Sequence, residues 1–400
     1  MSFIQRLLSV FSRGASPASG VENPAQVLIS DAHIGTSMWQ AAVLARLNVS
    51  VRIETLSDHA HYARGLPVFS TPLFKELSDS PTDTVRRDYS RRAELSSVRW
   101  AVCSFPPSRF EALAKLPEHV RILVNVGHRL HIHVQPDRLE EITAIFAKLA
   151  ASPRHVLATM SEYDYHYVRY HTGCELLRLP VVALHVDDAV RSAAYSPTNR
   201  VVLIGPSHNT SVILGFEDDL SSLNEQSRAY AIERGFEPFA FEFIKAAYPG
   251  DQATLENLRR HPAVLMNPYS AFSISMVELY QSNLPFFVPS DALLVDKMGD
   301  VRLHPLYQPL DAVERLSSKH PASGTPYPHS PHDASPEAQR HWLQYMYFNQ
   351  VQNAQRWSTP QELFKLLYEQ DLATLSQKMR EENENLFQDQ LVAWRALVAG

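Results

Sequence analysis

The sequence predicts an α/β protein: two successive blocks of alternating strands and helices, followed by C-terminal helices. Three observations carry this reading. Short apolar runs of strand length recur, with amphipathic stretches of helical spacing between them. Segments rich in Pro, Ser, Asn or Ala divide the 400 residues into pieces of domain size. From Glu337 onward the spacing is helical to the end. The boundaries that follow are 1–25 for an N-terminal helix and linker, 26–186 and 187–336 for two domains, and 337–400 for the terminal helices.

Met1–Arg13 places Ile4, Leu7, Leu8 and Phe11 at i, i+3, i+4 and i+7, with Arg6 and Arg13 flanking the stripe. This is a short amphipathic helix, too interrupted for a signal-peptide core. Residues 3–13 are a candidate membrane-surface contact; packing as a plain tail helix is the other reading. Gly14–Ala25 is a linker.

The first block opens with an apolar run at Val27–Ser30, helical spacing over Thr36–Leu47 and alternation over Val49–Thr55. Less patterned sequence follows, including the arginine cluster of Asp83–Arg92. Arg99–Ser104 reads as a strand stopped by Pro106 and Pro107, Arg109–Leu116 as a helix, and Val120–Val126 as a buried strand. Asp137 is the expected N-cap of a helix reaching Ala151. His155–Thr159 is a strand, Ser161 caps a helix that Gly173 ends, and Leu177–Val182 is a further apolar run. Strands alternating with helices imply a mostly parallel sheet.

Asp187–Asn199 reads as a linker, and the pattern restarts. Arg200–Ile204, Glu237–Lys245, Ala263–Asn267 and Leu284–Pro289 are expected strands. Leu220–Arg234, Asp251–Arg260 and Ser273–Gln281 are expected helices. Ser317–Pro336 is an exposed loop rich in Pro, Ser and His. Trp342, Tyr345 and Phe348 are expected core, and Thr359–Glu362 has the capping pattern of a helix start.

Composition narrows the function classes. Net charge is −6, which disfavours a basic nucleic-acid binder. Two cysteines, Cys103 and Cys174, exclude a disulfide framework and a Cys-rich zinc site, and suggest a reducing, cytoplasmic setting. No apolar window approaches the length of a membrane helix. Glycine is scarce, 13 of 400, against a usual ~7%. There is no G-x-G-x-x-G, no G-x-x-x-x-G-K-[ST] and no G-x-S-x-G. Any phosphate site must therefore rely on helix N-termini and hydroxyls.

The most informative stretch is His261–Ser290: a buried strand, a polar loop, a serine-rich helix start, a mid-helix carboxylate and a second buried strand. A helix N-terminus after a strand presents free N–H groups suited to phosphate. Ser273 and Ser275 add hydroxyls, and Glu278, about one turn on, can accept two ribose hydroxyls. Helix capping by the serines and a salt bridge at Glu278 are the structural alternatives. The stretch resembles the nucleotide-sugar motif of glycosyltransferases with the two-Rossmann-domain GT-B fold, through Met276–Tyr280 and Leu284–Pro289. The motif covers about thirty residues, and the architectural likeness runs from Val27 to about Leu310. Two positions depart from the family pattern. The first of two glutamates usual in the retaining subgroup is Ser270 here, and Asn283 stands where a glycine is usual. Asn, like Gly, tolerates φ > 0.

The resemblance implies two Rossmann-like domains facing a central cleft, with a nucleotide-sugar donor on the second and an acceptor hydroxyl on the first. Donor-side candidates are Ser207 and Asn209 in the loop after the first strand of the second block, Lys245, Ser273, Ser275 and Glu278. Arg302, after the last strand, is a weaker one. On the acceptor side, Asp31 and His33 are candidate bases, and Gly35, Thr36, His128 and Arg129 line strand ends where open α/β sheets bind ligands. Each also has a plainer reading, as turn, cap or surface residue. His131 and His133, and the loop histidines His320, His329 and His332, are weaker metal-ligand candidates. No Asp-x-Asp motif occurs, so a metal-independent reaction without a cofactor is expected. Three functions compete: a glycosyltransferase, a nucleotide-sugar epimerase or hydrolase of the same fold, and a degenerate non-catalytic binding or scaffold module. Turnover of a nucleotide-sugar without acceptor distinguishes the second, and absence of nucleotide binding the third.

Overall fold

The structure, a computed structural model, describes residues 26–31, 34–55, 68–69, 96–131, 134–183, 188–205, 217–249, 253–266, 268, 271–298, 327–333 and 335–399. The amphipathic segment 3–13, His33, His133, Ser207, Asn209, Arg302 and His320 lie outside them. The chain divides into two compact units. The N-terminal unit holds described residues 26–183, 327–330 and 389–399; the C-terminal unit holds 188–298 and 331–388. Each is a parallel α/β sheet, as the alternation predicts.

In the N-terminal unit the strands are β1 (Val27–Asp31), β2 (Val51–Thr55), β3 (Val68–Phe69), β4 (Trp100–Cys103), β5 (Arg121–Val126), β6 (Val156–Thr159) and β7 (Leu177–Arg178). Their order is β3-β2-β1-β4-β5-β6-β7, every pairing parallel. That is the order of a dinucleotide-type Rossmann sheet, whose crevice opens between the first and fourth strands. β1 and β4 are buried along their whole length, which is why they read as unbroken apolar runs rather than alternating ones. Helix α1 (Ile34–Arg46) follows β1, and α2 (Phe110–Leu113) follows β4.

Helix α3 (Leu139–Ala150) buries Leu139, Ile142, Thr143, Phe146 and Leu149, a stripe of helical period, and Phe146 meets Phe110 edge-on at 5.4 Å. Asp137 does not cap it. Asp137 lies in a 3-10 turn, Pro136–Arg138, because Pro136 supplies the first-turn φ one residue earlier than expected. Helix α4 (Glu162–Thr172) starts and stops as the sequence requires: Ser161 Oγ accepts the Asp164 N–H, and Gly173 closes it at φ 70°. The apolar run at Leu177 gives only a two-residue strand. Leu179 N–H still donates to Thr159 O, and no pairing is assigned beyond it.

The C-terminal unit contains β8 (Val201–Gly205), β9 (Ala240–Phe243), β10 (Val264–Met266), β11 (Phe286–Pro289) and β12 (Gln355–Trp357), in the parallel order β12-β11-β10-β8-β9. This is the other common doubly-wound order, with its crevice between β8 and β10. Its helices are α5 (Asp188–Ser192), α6 (Glu217–Arg234), α7 (Ile244–Ala247), α8 (Leu255–Leu258), α9 (Ile274–Gln281), α10 (Asp291–Met298), α11 (Pro336–Leu343), α12 (Tyr347–Gln350) and α13 (Pro360–Glu369). Helix α14 (Leu372–Ala399) begins in this unit, and its residues 389–399 belong to the N-terminal one. The two parallel sheets with this long final helix make a GT-B-like architecture.

Three expectations are corrected in this unit. Helix α8 is one turn rather than the expected ten residues, starting where Thr254 caps it by accepting the Asn257 N–H. The strand expected over Glu237–Lys245 ends at Phe243, and Lys245 lies in the short helix α7. The region after Glu337 is not all helix, because β12 pairs with β11 and buries Trp357. Three residues are too few to show a period of two. Trp342 and Phe348 are core, whereas Tyr345 is half-buried.

Candidate functional site

In doubly-wound sheets ligands bind at the carboxyl ends of the strands, at the point where the strand order reverses. In the C-terminal unit, β8 ends at Gly205, paired with Met266 at the end of β10. A Cβ on Gly205 would lie 2.2 Å from Ile244 Cδ1, so glycine lets α7 close directly over the strand end. Lys245, next to Ile244, is exposed. After β10 the chain buries Ala271 and Phe272 and enters α9. Helix α9 buries Met276, Val277, Leu279, Tyr280 and Gln281. This leaves Ser275 and Glu278, three residues apart and therefore on one face, half-buried. Ser273 is the N-cap: its Oγ accepts the Met276 N–H at 3.2 Å and lies 3.1 Å from Ser275 Oγ. The capping reading of Ser273 thus holds, and the same cap sets two hydroxyls at a helix N-terminus one turn from a carboxylate.

Asn283 follows α9 with φ 61°, the left-handed conformation that glycine would supply without strain. Its side chain explains why Asn stands there. Asn283 Nδ2 donates to Arg191 O at 2.8 Å, its Oδ1 accepts from Asn383 Nδ2 at 2.7 Å, and its backbone O accepts from Ser376 Oγ at 2.6 Å. The residue is 4% exposed. Nearby, Tyr280 Oη donates to Glu382, which also accepts from Asn353 Nδ2 at 2.6 Å. The C-terminal end of α9 is therefore locked to α5 and α14.

In the N-terminal unit, Asp31 ends β1 fully buried, and its Oδ1 accepts the Phe105 N–H at 2.8 Å. This bond ties the end of β1 to the loop after β4. Arg109 Nη2 donates to Ser30 Oγ at 2.9 Å, and Gln40 Nε2 donates to Ser104 Oγ across the same crevice. Arg109 had no signal in the sequence beyond an arginine just past a strand end. Gly35 and Thr36 form the first turn of α1, Thr36 buried. Beside them Cys103 is buried, and burial followed by the nearby Asp31 charge pushes its thiol up, so it is no nucleophile.

The next strand end continues the crevice. The Phe105 ring meets His128 edge-on at 5.8 Å, and His128 Nδ1 accepts the Arg129 N–H at 2.9 Å. A Cβ on Gly127 would lie 2.4 Å from Met160 Sδ, so the 127–129 loop packs against the turn between β6 and α4. Asn125, Arg129, Thr159 and Asp164 are all buried at this edge. His131 instead packs inward: its Nε2 is 2.9 Å from Thr143 Oγ1 and its ring meets His171 at 5.2 Å. Among the described residues no cluster of His, Cys, Asp and Glu could hold a metal ion.

The Asp164 carboxyl is pushed up to about 7, chiefly by burial, with the Ser161 hydroxyl and the Arg129 charge pulling the other way. The unfolded value is near 3.8, so between the two the folded state holds a proton that the unfolded state has lost. The Asp164 contribution to stability is therefore full below about 3.8, falls as pH rises toward 7, and is level above that. Asp164→Asn removes this proton uptake. Urea midpoints measured from pH 4 to pH 8 should fall less steeply in the variant; parallel curves would show that Asp164 titrates normally.

No protein-family model matches the chain, and no curated protein matches it. Function is therefore read from the chemistry of these two crevices. Among the described residues no helix is long and apolar enough to cross a membrane.

Proposed function

We propose that the protein is a glycosyltransferase that moves a sugar from a nucleotide-sugar donor to an acceptor hydroxyl. One observation carries the reading. Ser273, Ser275 and Glu278 share the half-buried face and N-terminal end of α9, which opens from the crevice of a doubly-wound sheet. Helix N–H groups and two hydroxyls suit the donor diphosphate. Glu278, one turn on, suits the ribose hydroxyls. Lys245, exposed next to Ile244, is assigned to the leaving diphosphate together with Ser207 and Asn209, which lie outside the described residues.

In the reaction the acceptor oxygen forms its bond to the sugar's anomeric carbon as the bond to the diphosphate breaks. The acceptor proton passes to a base, and the nucleoside diphosphate leaves with the electron pair. The acceptor side is assigned to the N-terminal crevice, with His33 as base and Gly35 and Thr36 lining it. Asp31, fixed by the Phe105 N–H, acts as a positioning carboxylate.

A thermal-shift panel of nucleotide-sugars on the full chain tests this. A ligand at 100 times its Kd adds about 2.7 kcal/mol of stability. Glu278→Ala removes two charge-assisted hydrogen bonds and is expected to weaken binding about 10- to 100-fold, at a cost of ~1.5–3 kcal/mol. No shift with any nucleotide or nucleotide-sugar would sink the proposal.

A further inference from the structure

The edge formed by the ends of β5 and β6 contains a buried charge with no ion-pair partner among the described residues. Arg129 is 7% exposed, and its Nε and Nη1 have no hydrogen-bond partner among the described residues. No described carboxylate lies within ion-pair distance of it. A buried guanidinium is costly unless an anion compensates it, because desolvation exceeds any gain from dispersed neighbours. Its position is built rather than accidental. Gly127 permits the close approach to Met160, and the Arg129 N–H is held by His128 Nδ1.

What surrounds Arg129 fits an anion. Thr159, paired in register with Val126, is 1% exposed, and its Oγ1 has no partner among the described residues. Two residues further on, α4 begins at the Ser161 cap, and the first N–H groups of a helix lack intrahelical acceptors. Tyr163 and Asp164, in the first turn of α4, both feel the Arg129 charge, which places the guanidinium beside that helix end. Burial pushes the Asp164 carboxyl up to about 7, so below that pH it is neutral and does not oppose an anion.

We infer that Arg129, Thr159 and the N-terminus of α4 form a binding site for an oxyanion, a carboxylate or a phosphate group. A guanidinium fork matches either group with two parallel hydrogen bonds. On the transferase reading, this oxyanion belongs to the acceptor, which is then an acidic molecule. That assignment rests on the transferase reading; the oxyanion site does not.

The test is a thermal titration of the full chain with inorganic phosphate and, separately, with acetate, at ionic strength matched with chloride. At least one should give a saturable rise in Tm, and which one does so identifies the group. Arg129→Gln should weaken that response at least tenfold, and Arg129→Lys, which keeps the charge but loses the fork, by less. Without added anion, Arg129→Gln should melt at or above the parent temperature, since it removes an unbalanced buried charge. The inference is overturned if neither anion shifts Tm, if the shift survives Arg129→Gln, or if that variant melts several degrees lower or fails to fold in anion-free buffer. Nucleotide-sugar shifts should persist in Arg129→Gln, so failure of the oxyanion site and failure of the donor assignment are told apart.

Discussion

Trp394→Ala should destabilise the N-terminal unit by about 4 kcal/mol, the range for emptying a fully buried tryptophan site. Trp394 and Trp39 are both 0% exposed, and their rings meet edge-on, 84° apart, with centroids at 5.7 Å. Such a pair adds roughly 1 kcal/mol beyond the area it buries. Trp394 lies near the end of α14, so the loss also frees the helix end that completes this unit. Neither indole N–H has a partner among the described residues. Trp394→Phe therefore keeps most of the contact without the unpaired donor, and should cost only about 1–2 kcal/mol. Urea unfolding followed by near-UV circular dichroism checks both; equal losses in the two variants would show that the site does not depend on ring packing.

Asn283→Ala is expected to cost about 3 kcal/mol in the C-terminal unit. Alanine at φ 61° is strained by roughly 1 kcal/mol. The two side-chain hydrogen bonds, to Arg191 O and from Asn383, are lost inside the core, at roughly 1 kcal/mol each. Asn283→Gly loses the same bonds but keeps the backbone conformation, so it should cost about 1 kcal/mol less. The difference between the two variants isolates the backbone component, and no difference would show that the left-handed φ carries no strain there. Because Asn283 holds the C-terminal end of α9, both changes should also weaken any nucleotide-sugar response that depends on Ser273 and Glu278.

Much of the scaffold is legible locally. Ser161, Gly173, Ser273 and Thr359 each stand at a helix end for reasons contained in a few neighbouring residues, and the structure uses all four as read. The buried strands of both sheets are visible as apolar runs because parallel strands are covered on two faces. Less was legible where a single residue or a three-residue segment decides. β7 is only two residues long, β12 is too brief to display a period, and Lys245 leaves its strand where Ile244 folds over Gly205. The site divides in the same way. Ser273, Ser275 and Glu278 are close in sequence and share a helix, so their grouping could be read from spacing. Arg129 and Asp164 are far apart in sequence, and only the packing of two strand ends brings them together.

Glycine scarcity can now be traced to particular positions. The sequence alone determined that no glycine-rich phosphate loop exists, that two parallel α/β blocks follow one another, and that one helix start is rich in hydroxyls. These are properties of composition and short-range period, which need no partner segment. Only the tertiary structure decided why Asn283 stands where a glycine is usual, that Asp31 is a clamp on Phe105, and that Arg129 is buried with its Nε and Nη1 unpartnered among the described residues. Burial and hydrogen-bond satisfaction depend on which distant segments meet, and that information is absent from any local stretch of the chain.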